Sequence, residues 1–230
     1  KNHDEIPVKV ALAFPDVYEV AMSHLGLKII YSVLNARDDA LAERVYAPWV
    51  DMEAMMREKH IPLFSLENKC PVKDFDVLGF TMPYEMCYTN ILNMIDMAGI
   101  PVWAKDRTEE DPLVVAGGPC VYNAEPVADF FDVFFIGESE EAIGEMVDIV
   151  KAWKAEGKPG GRKEAIRRLA KIDGCYAPSL YEASYYENGV FRSIRPIDEA
   201  AQFPVKKRVI RDVDHVHIDD KPILPHIEIV

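Results

Sequence analysis

Short, unbroken apolar runs recur along this chain, and residues 113–116 and 133–136 are the clearest of them. Runs of this length suit strands buried on both faces, which is the habit of parallel sheets. Each run empties into a turn: Gly117-Gly118-Pro119 after the first, Gly137-Glu138-Ser139 after the second. The two adjacent glycines lack Cβ atoms where a strand ends, so a ligand could approach bare backbone there. Ligands of open parallel sheets settle at the carboxyl ends of the strands. These turns are therefore the first place to look for function.

The rest of the chain repeats the same grammar. Residues 8–14 read as a first strand, with Pro15-Asp16 as its exit loop. Residues 22–34 carry a helical stripe of Leu25, Ile29, Ile30, Val33 and Leu34, with Ser23 placed to cap it. Residues 42–46 give a second strand, and Asp51 opens a helix whose Met52, Met55 and Met56 read as core or subunit contact. Residues 63–65 form a brief extension. A third strand spans 76–81, and a helix over 84–98 is stopped by Gly99 and Pro101. Strands four and five are joined by a short helical stretch at 126–131, and a long amphipathic helix covers 140–155. This alternation predicts a doubly wound α/β fold with a mostly parallel five-stranded sheet in residues 1–158.

After Lys158-Pro159-Gly160-Gly161 the pattern changes. Residues 159–230 read as a helix at 163–171, a β-hairpin turning at Asn188-Gly189, and a linker. The chain ends on an apolar, strand-like run at 223–230, which reads as a segment of a longer protein.

Composition narrows the function classes. Lys and Arg total 26 against 39 Asp and Glu, a formal charge of −13. That balance argues against a nucleic-acid surface, which needs clustered cations. The basic group Lys206, Lys207, Arg208 and Arg211 reads as a solvated edge. No apolar run reaches the roughly 20 residues of a membrane helix. Cys70, Cys87, Cys120 and Cys175 form neither a Cys-x-x-Cys pair nor a secreted disulfide framework, so a cytoplasmic setting is expected. Neither a Walker loop nor a Gly-x-Gly-x-x-Gly fingerprint is present.

Individual residues admit two readings. His24 stands near a helix start on the ligand side of the sheet, where a capping or surface role competes with a ligand role. Tyr84, Glu85 and Tyr88 follow strand three and could cover a flat cofactor or pack on the sheet. Glu138, Glu140 and Glu141 suit the first turn of a helix, with Glu138 also able to accept bonds from a ligand. Cys120 reads as a buried thiol. His215 and His217, among Asp214, Asp219 and Asp220, read as linker.

Gly117-Gly118-Pro119, Glu125-Pro126 and Gly137-Glu138-Ser139-Glu140 together resemble the cobalamin-binding-type domain that precedes the core of many radical S-adenosylmethionine (radical SAM) enzymes. Residues 13–20, 22–26, 46–49 and 88–94 resemble one bacterial branch of that family, so the likeness covers nearly the whole chain. The resemblance implies a flavodoxin-like or Rossmann-like sheet holding cobalamin. It also implies a Cys-x-x-x-Cys-x-x-Cys loop beyond Val230 for a [4Fe–4S] cluster and S-adenosylmethionine, with this domain's own radical SAM core as its partner. The cofactor-binding residues it implies are Asp16, His24, Gly26, Thr81, Met82, Tyr84, Gly117, Gly118, Pro119, Gly137 and Glu138. No catalytic residue is expected in this segment.

The family's three markers are kept unequally. Gly117-Gly118 matches the third. Thr81-Met82-Pro83 offers a hydroxyl for the second, with Pro where Leu is usual. The first, Asp-x-His-x-x-Gly, is not matched, because Asp16 and His24 are too far apart and His24-Leu25-Gly26 is one residue short. No cobalt ligand is therefore assigned. The rival reading is a domain that has lost cobalamin and serves as a substrate- or partner-docking module; a nucleotide or flavin in the same crevice is a third.

Overall fold

The computed structural model describes Lys1, His3 and residues 5–210. The expected strand at 223–230, the His215 and His217 group, and Arg211 lie outside the described residues. In chain order the elements are β1 (Val8–Phe14), α1 (Tyr18–Ala21), α2 (Leu25–Ala36), β2 (Ala40–Tyr46), α3 (Val50–Glu58), β3 (Val77–Thr81), α4 (Tyr88–Met97), β4 (Leu113–Gly117), β5 (Val133–Phe135), α5 (Ala142–Ala155), α6 (Gly161–Leu169), β6 (Cys175–Tyr176), β7 (Tyr181–Tyr185) and β8 (Phe191–Pro196).

The main sheet has the order β2-β1-β3-β4-β5-β6, and its first five strands run parallel. This is the flavodoxin-like order, in which the strand order reverses between β1 and β3. The sheet has six strands rather than five. β6 joins antiparallel on the β5 edge, with Phe134 opposite Tyr176 and Phe135 opposite Cys175. Two residues are too few to show a period, and an antiparallel edge strand needs no crossover helix to announce it.

Strand alternation sends side chains into two cores. Val8, Val10, Leu12 and Phe14 face α2, α5 and α6, whereas Ala11 and Ala13 face α3 and α4. Met146, Val147 and Val150 of α5 fill the first core; Ile91, Met94 and Ile95 of α4 fill the second. Small side chains on one face of β1 and large ones on the other set how closely each helical layer can approach.

Several local expectations shift. α2 begins at Leu25, not at residue 22, and His24 rather than Ser23 caps it. Ser23 Oγ instead donates to the Val20 carbonyl. Met56 is buried, but Met52 and Met55 are exposed, so the methionine stripe is not a core stripe in this chain. The short helix before β5 is a 3-10 segment, Glu125–Phe130. The extension at 63–65 makes one antiparallel bridge, Phe64 with Pro71.

α6 is locked to the sheet by charge as well as by packing. Asp132, just before β5, accepts from both Arg107 and Arg162, and all three side chains are nearly inaccessible. Asp132 Oδ2 also accepts from the Val114 amide at 2.7 Å, while Arg162 donates to the Asp111 and Pro112 carbonyls. Buried charges persist only when paired and hydrogen-bonded, and this group meets both conditions. β7 and β8 form a separate antiparallel hairpin. Among the described residues no helix is long and apolar enough to cross a membrane.

Candidate functional site: the carboxyl rim of the sheet

The exits of β1, β3, β4 and β5 share one rim, because these strands are parallel neighbours. Thr81 at the end of β3 lies in register with Gly117 at the end of β4. Alternation puts Gly79, Thr81 and Gly117 on the same face as Val77, Leu113 and Val115, beneath α2 and α5. Gly79 sits in the middle of a central strand yet keeps solvent exposure, as do Thr81 and Gly117. A Cβ added at Gly79 would meet Val115 at 3.6 Å and Leu12 at 3.8 Å, ordinary contacts. At Gly117 it would meet only Ser139 Oγ, at 3.6 Å. These four residues, Gly79, Thr81, Gly117 and Ser139, mark a stretch of the rim with bare backbone and two hydroxyls, a candidate slot. Gly79 and Ser139 are not among the cofactor-binding residues that the resemblance implies, although Ser139 belongs to the turn after β5 that the sequence points to.

The other candidate residues divide into groups. Asp16 and Tyr84 meet across the point where strand order reverses: Tyr84 Oη donates to Asp16 Oδ2 at 3.1 Å, while Asp16 Oδ1 accepts from the Val17 amide at 2.8 Å. That acceptor raises the Tyr84 phenol above its ordinary pKa, keeping it a donor at neutral pH. Met86, two residues after Tyr84, and Tyr122, in the 3-10 segment after β4, are strongly exposed.

His24 is a helix cap. Its Nδ1 accepts from the Leu27 amide at 3.1 Å, and its ring lies 4.9 Å from that of Phe14. Burial lowers its proton affinity, which suits an imidazole that must accept. Gly26 follows in the first turn of α2, where a Cβ would come 3.1 Å from His24 Cε1.

Gly118 and Met82 brace β3 to β4. The Met82 amide donates to the Gly117 carbonyl at 2.8 Å, and its own carbonyl accepts from Cys120 at 3.1 Å. Gly118 has φ of +106°, and a Cβ there would lie 3.0 Å from the Met82 carbonyl oxygen. Of the two glycines, Gly118 thus serves the turn and Gly117 leaves the space. The Met82 side chain points away from the slot into the opposite core. Pro119 is exposed at the start of a 3-10 segment.

Gly137 and Glu138 hold a returning strap. The Arg208 amide donates to the Ile136 carbonyl at 2.9 Å, and the Glu138 amide donates to the Arg208 carbonyl at 3.1 Å. Gly137, at φ +106°, would place a Cβ 2.2 Å from Arg208 O. The Glu138 carboxylate accepts from the Ile210 amide. Arg208 is therefore not part of a solvated edge. Its guanidinium bridges Glu141 at 2.8 Å and Glu145 at 2.7 Å, while Lys206 and Lys207 remain exposed. Cys87 and Cys120 are buried, and burial raises both thiols above their ordinary pKa.

A doubly wound, flavodoxin-like domain with a slot at its carboxyl rim is a cofactor-binding architecture by class. The family described as radical SAM proteins, N-terminal, matches residues 26–178, and the chain belongs to that family. An uncharacterized protein, MJ0966 of Methanocaldococcus jannaschii, is 28% identical over 187 residues, covering 76% of this chain and 36% of its own length. The chain thus spans about a third of that curated relative. Among solved structures, it is similar to the cobalamin-dependent S-adenosylmethionine radical enzyme OxsB with aqua-cobalamin and S-adenosylmethionine bound, at TM-score 0.44 and 11% identity over 87% of this chain and 24% of that one. It is also similar to the radical S-adenosylmethionine methyltransferase TsrM of Kitasatospora setae, at TM-score 0.43 and 14% identity, covering 79% and 29%.

Proposed function

We propose that this domain holds cobalamin at its carboxyl rim, next to a radical SAM core carried elsewhere in the longer protein, for a radical or methyl-transfer reaction. The observation that carries this reading is Gly79: a glycine only half-buried in the middle of a central strand, below the Thr81–Gly117 pair. A flat cofactor with a long tail needs such a channel into the sheet, and two hydroxyls and bare amides can meet its polar groups. The fit is partial. His24 Nδ1 is committed to the Leu27 amide, so the residues at hand favour the tail and offer no imidazole fixed on the metal.

When bound, cobalamin supplies the cobalt centre, and the [4Fe–4S] cluster with S-adenosylmethionine belongs to the partner core. The chain's own contribution is to bind and shield. Thr81 and Ser139 orient the tail, and the Tyr84–Asp16 pair fixes the wall beside it. Exposed Met86 and Tyr122 offer apolar cover on the side where the core would dock. The same reading places the protein in the cytoplasm, in keeping with unpaired thiols at Cys87, Cys120 and Cys175.

One observation favours the rival, a cofactor-free docking module: Asp16 and Tyr84 already satisfy each other across the switch point. Equilibrium dialysis against hydroxocobalamin separates the two. Wild type is expected to bind saturably, and Gly79→Val, which fills the slot with a strand-compatible side chain, to weaken binding by about tenfold or more. Equal binding by both proteins, or none by wild type, contradicts the proposal.

A further inference from the structure

A second concavity opens on the same rim but on the far side of β1, between the exits of β1 and β2. It encloses about 470 Å³ and is walled by Tyr18, Tyr46 and Trp49, floored by Met56, and lipped by Glu19 and Asp51. None of the slot residues described above lines it, so it stands apart from the cofactor reading.

Its lining is chemically specific. The Tyr18 and Tyr46 rings meet edge to face, with centroids 5.5 Å apart and planes at 84°. Trp49 is 64% exposed, unusual for the largest side chain in a chain with ample core. Perpendicular aromatic faces around an apolar floor attract a cation through the ring quadrupoles. The two carboxylates point to the same charge. Among the described residues neither has an ion-pair partner, and Asp51 makes only a local bond, accepting from the Met52 amide at 2.7 Å. Lys69, which also borders the cavity, forms no ion pair with either: its ammonium donates to the Leu66 carbonyl and lies 5.9 Å over the Phe64 ring.

We infer that this cleft binds a compact alkylammonium group carried on an apolar stem. The aromatic faces hold the onium head, Met56 meets the stem, and Glu19 and Asp51 supply long-range attraction. A neutral group of the same shape keeps the apolar contacts and loses the rest.

That difference is the test. Choline chloride and its neutral isostere 3,3-dimethyl-1-butanol are titrated into the 230-residue protein by ligand-observed NMR at constant ionic strength. Choline is expected to bind saturably and about five- to tenfold more tightly than the alcohol. Trp49→Leu and Asp51→Asn are each expected to weaken choline by about threefold or more. Both positions are exposed, so the fold does not depend on them. Equal affinity for the alcohol would overturn the inference by showing a merely apolar hole. Unchanged choline binding in Trp49→Leu would overturn it by placing the cation elsewhere, and absence of saturable binding up to roughly 50 mM would overturn it outright.

Discussion

At the scale of single residues, the same residue types carry different duties within a few positions of each other. Gly117 leaves space at the slot, while Gly118 one residue on is required by its backbone angle and the Met82 peptide. His24 shows how a suspected ligand resolves into a cap. Its imidazole must be neutral to accept from Leu27, and burial lowers its proton affinity. A folded pKa below the unfolded value means the stabilisation is complete above about pH 6.5 and is lost as pH falls through the folded value. We expect His24→Ala to cost about 1 kcal/mol at pH 8, and the gap to wild type to narrow progressively below about pH 6.5, read by urea unfolding. His24→Asn should recover most of the loss at pH 8, and a pH-independent gap would contradict the capping role. Gly117 stands out in the sequence because a buried strand run empties into a glycine pair, and Thr81 enters through the family resemblance; register sets the two side by side. Gly79 does not stand out, since a strand glycine shows its meaning only when register reveals what it faces and whether a helix covers it.

At the scale of elements, the alternation of fully buried apolar runs with helical stripes made β1 to β5 and their helices readable. β6 and the strap were not readable, because their partners lie far away in sequence: Cys175 opposite Phe135, Arg208 beside Gly137. The union of α6 with the sheet rests on two guanidinium groups sharing one carboxylate. Replacing Asp132 with Ala leaves both charges buried without a counterion. Unfolding free energy should fall by about 3–5 kcal/mol, and a loss under about 1 kcal/mol would show that water or another group compensates. The strap has its own test. Gly137→Ala drives a methyl into Arg208 O, so amide exchange at residues 206–210 should quicken while that of β1 and β3 stays unchanged. Slow exchange at the strap would mean that it does not depend on the close approach.

At the scale of the whole molecule, both proposed sites lie on one edge. The carboxyl rim carries the Gly79–Thr81–Gly117–Ser139 slot, the Asp16–Tyr84 bridge, the aromatic cleft and the strap at Arg208. The amino edge carries the paired charges that tie α6 down. Such a division lets one rim stay open and incompletely packed while the opposite edge and the two cores supply stability. Hydrogen–deuterium exchange with and without hydroxocobalamin tests the central claim most directly, because it reports where binding falls as well as whether it occurs. Protection confined to peptides spanning residues 79–84, 117–118 and 137–144 is the expected result. Protection elsewhere, or none at saturating hydroxocobalamin, would contradict the slot as the seat of the cofactor.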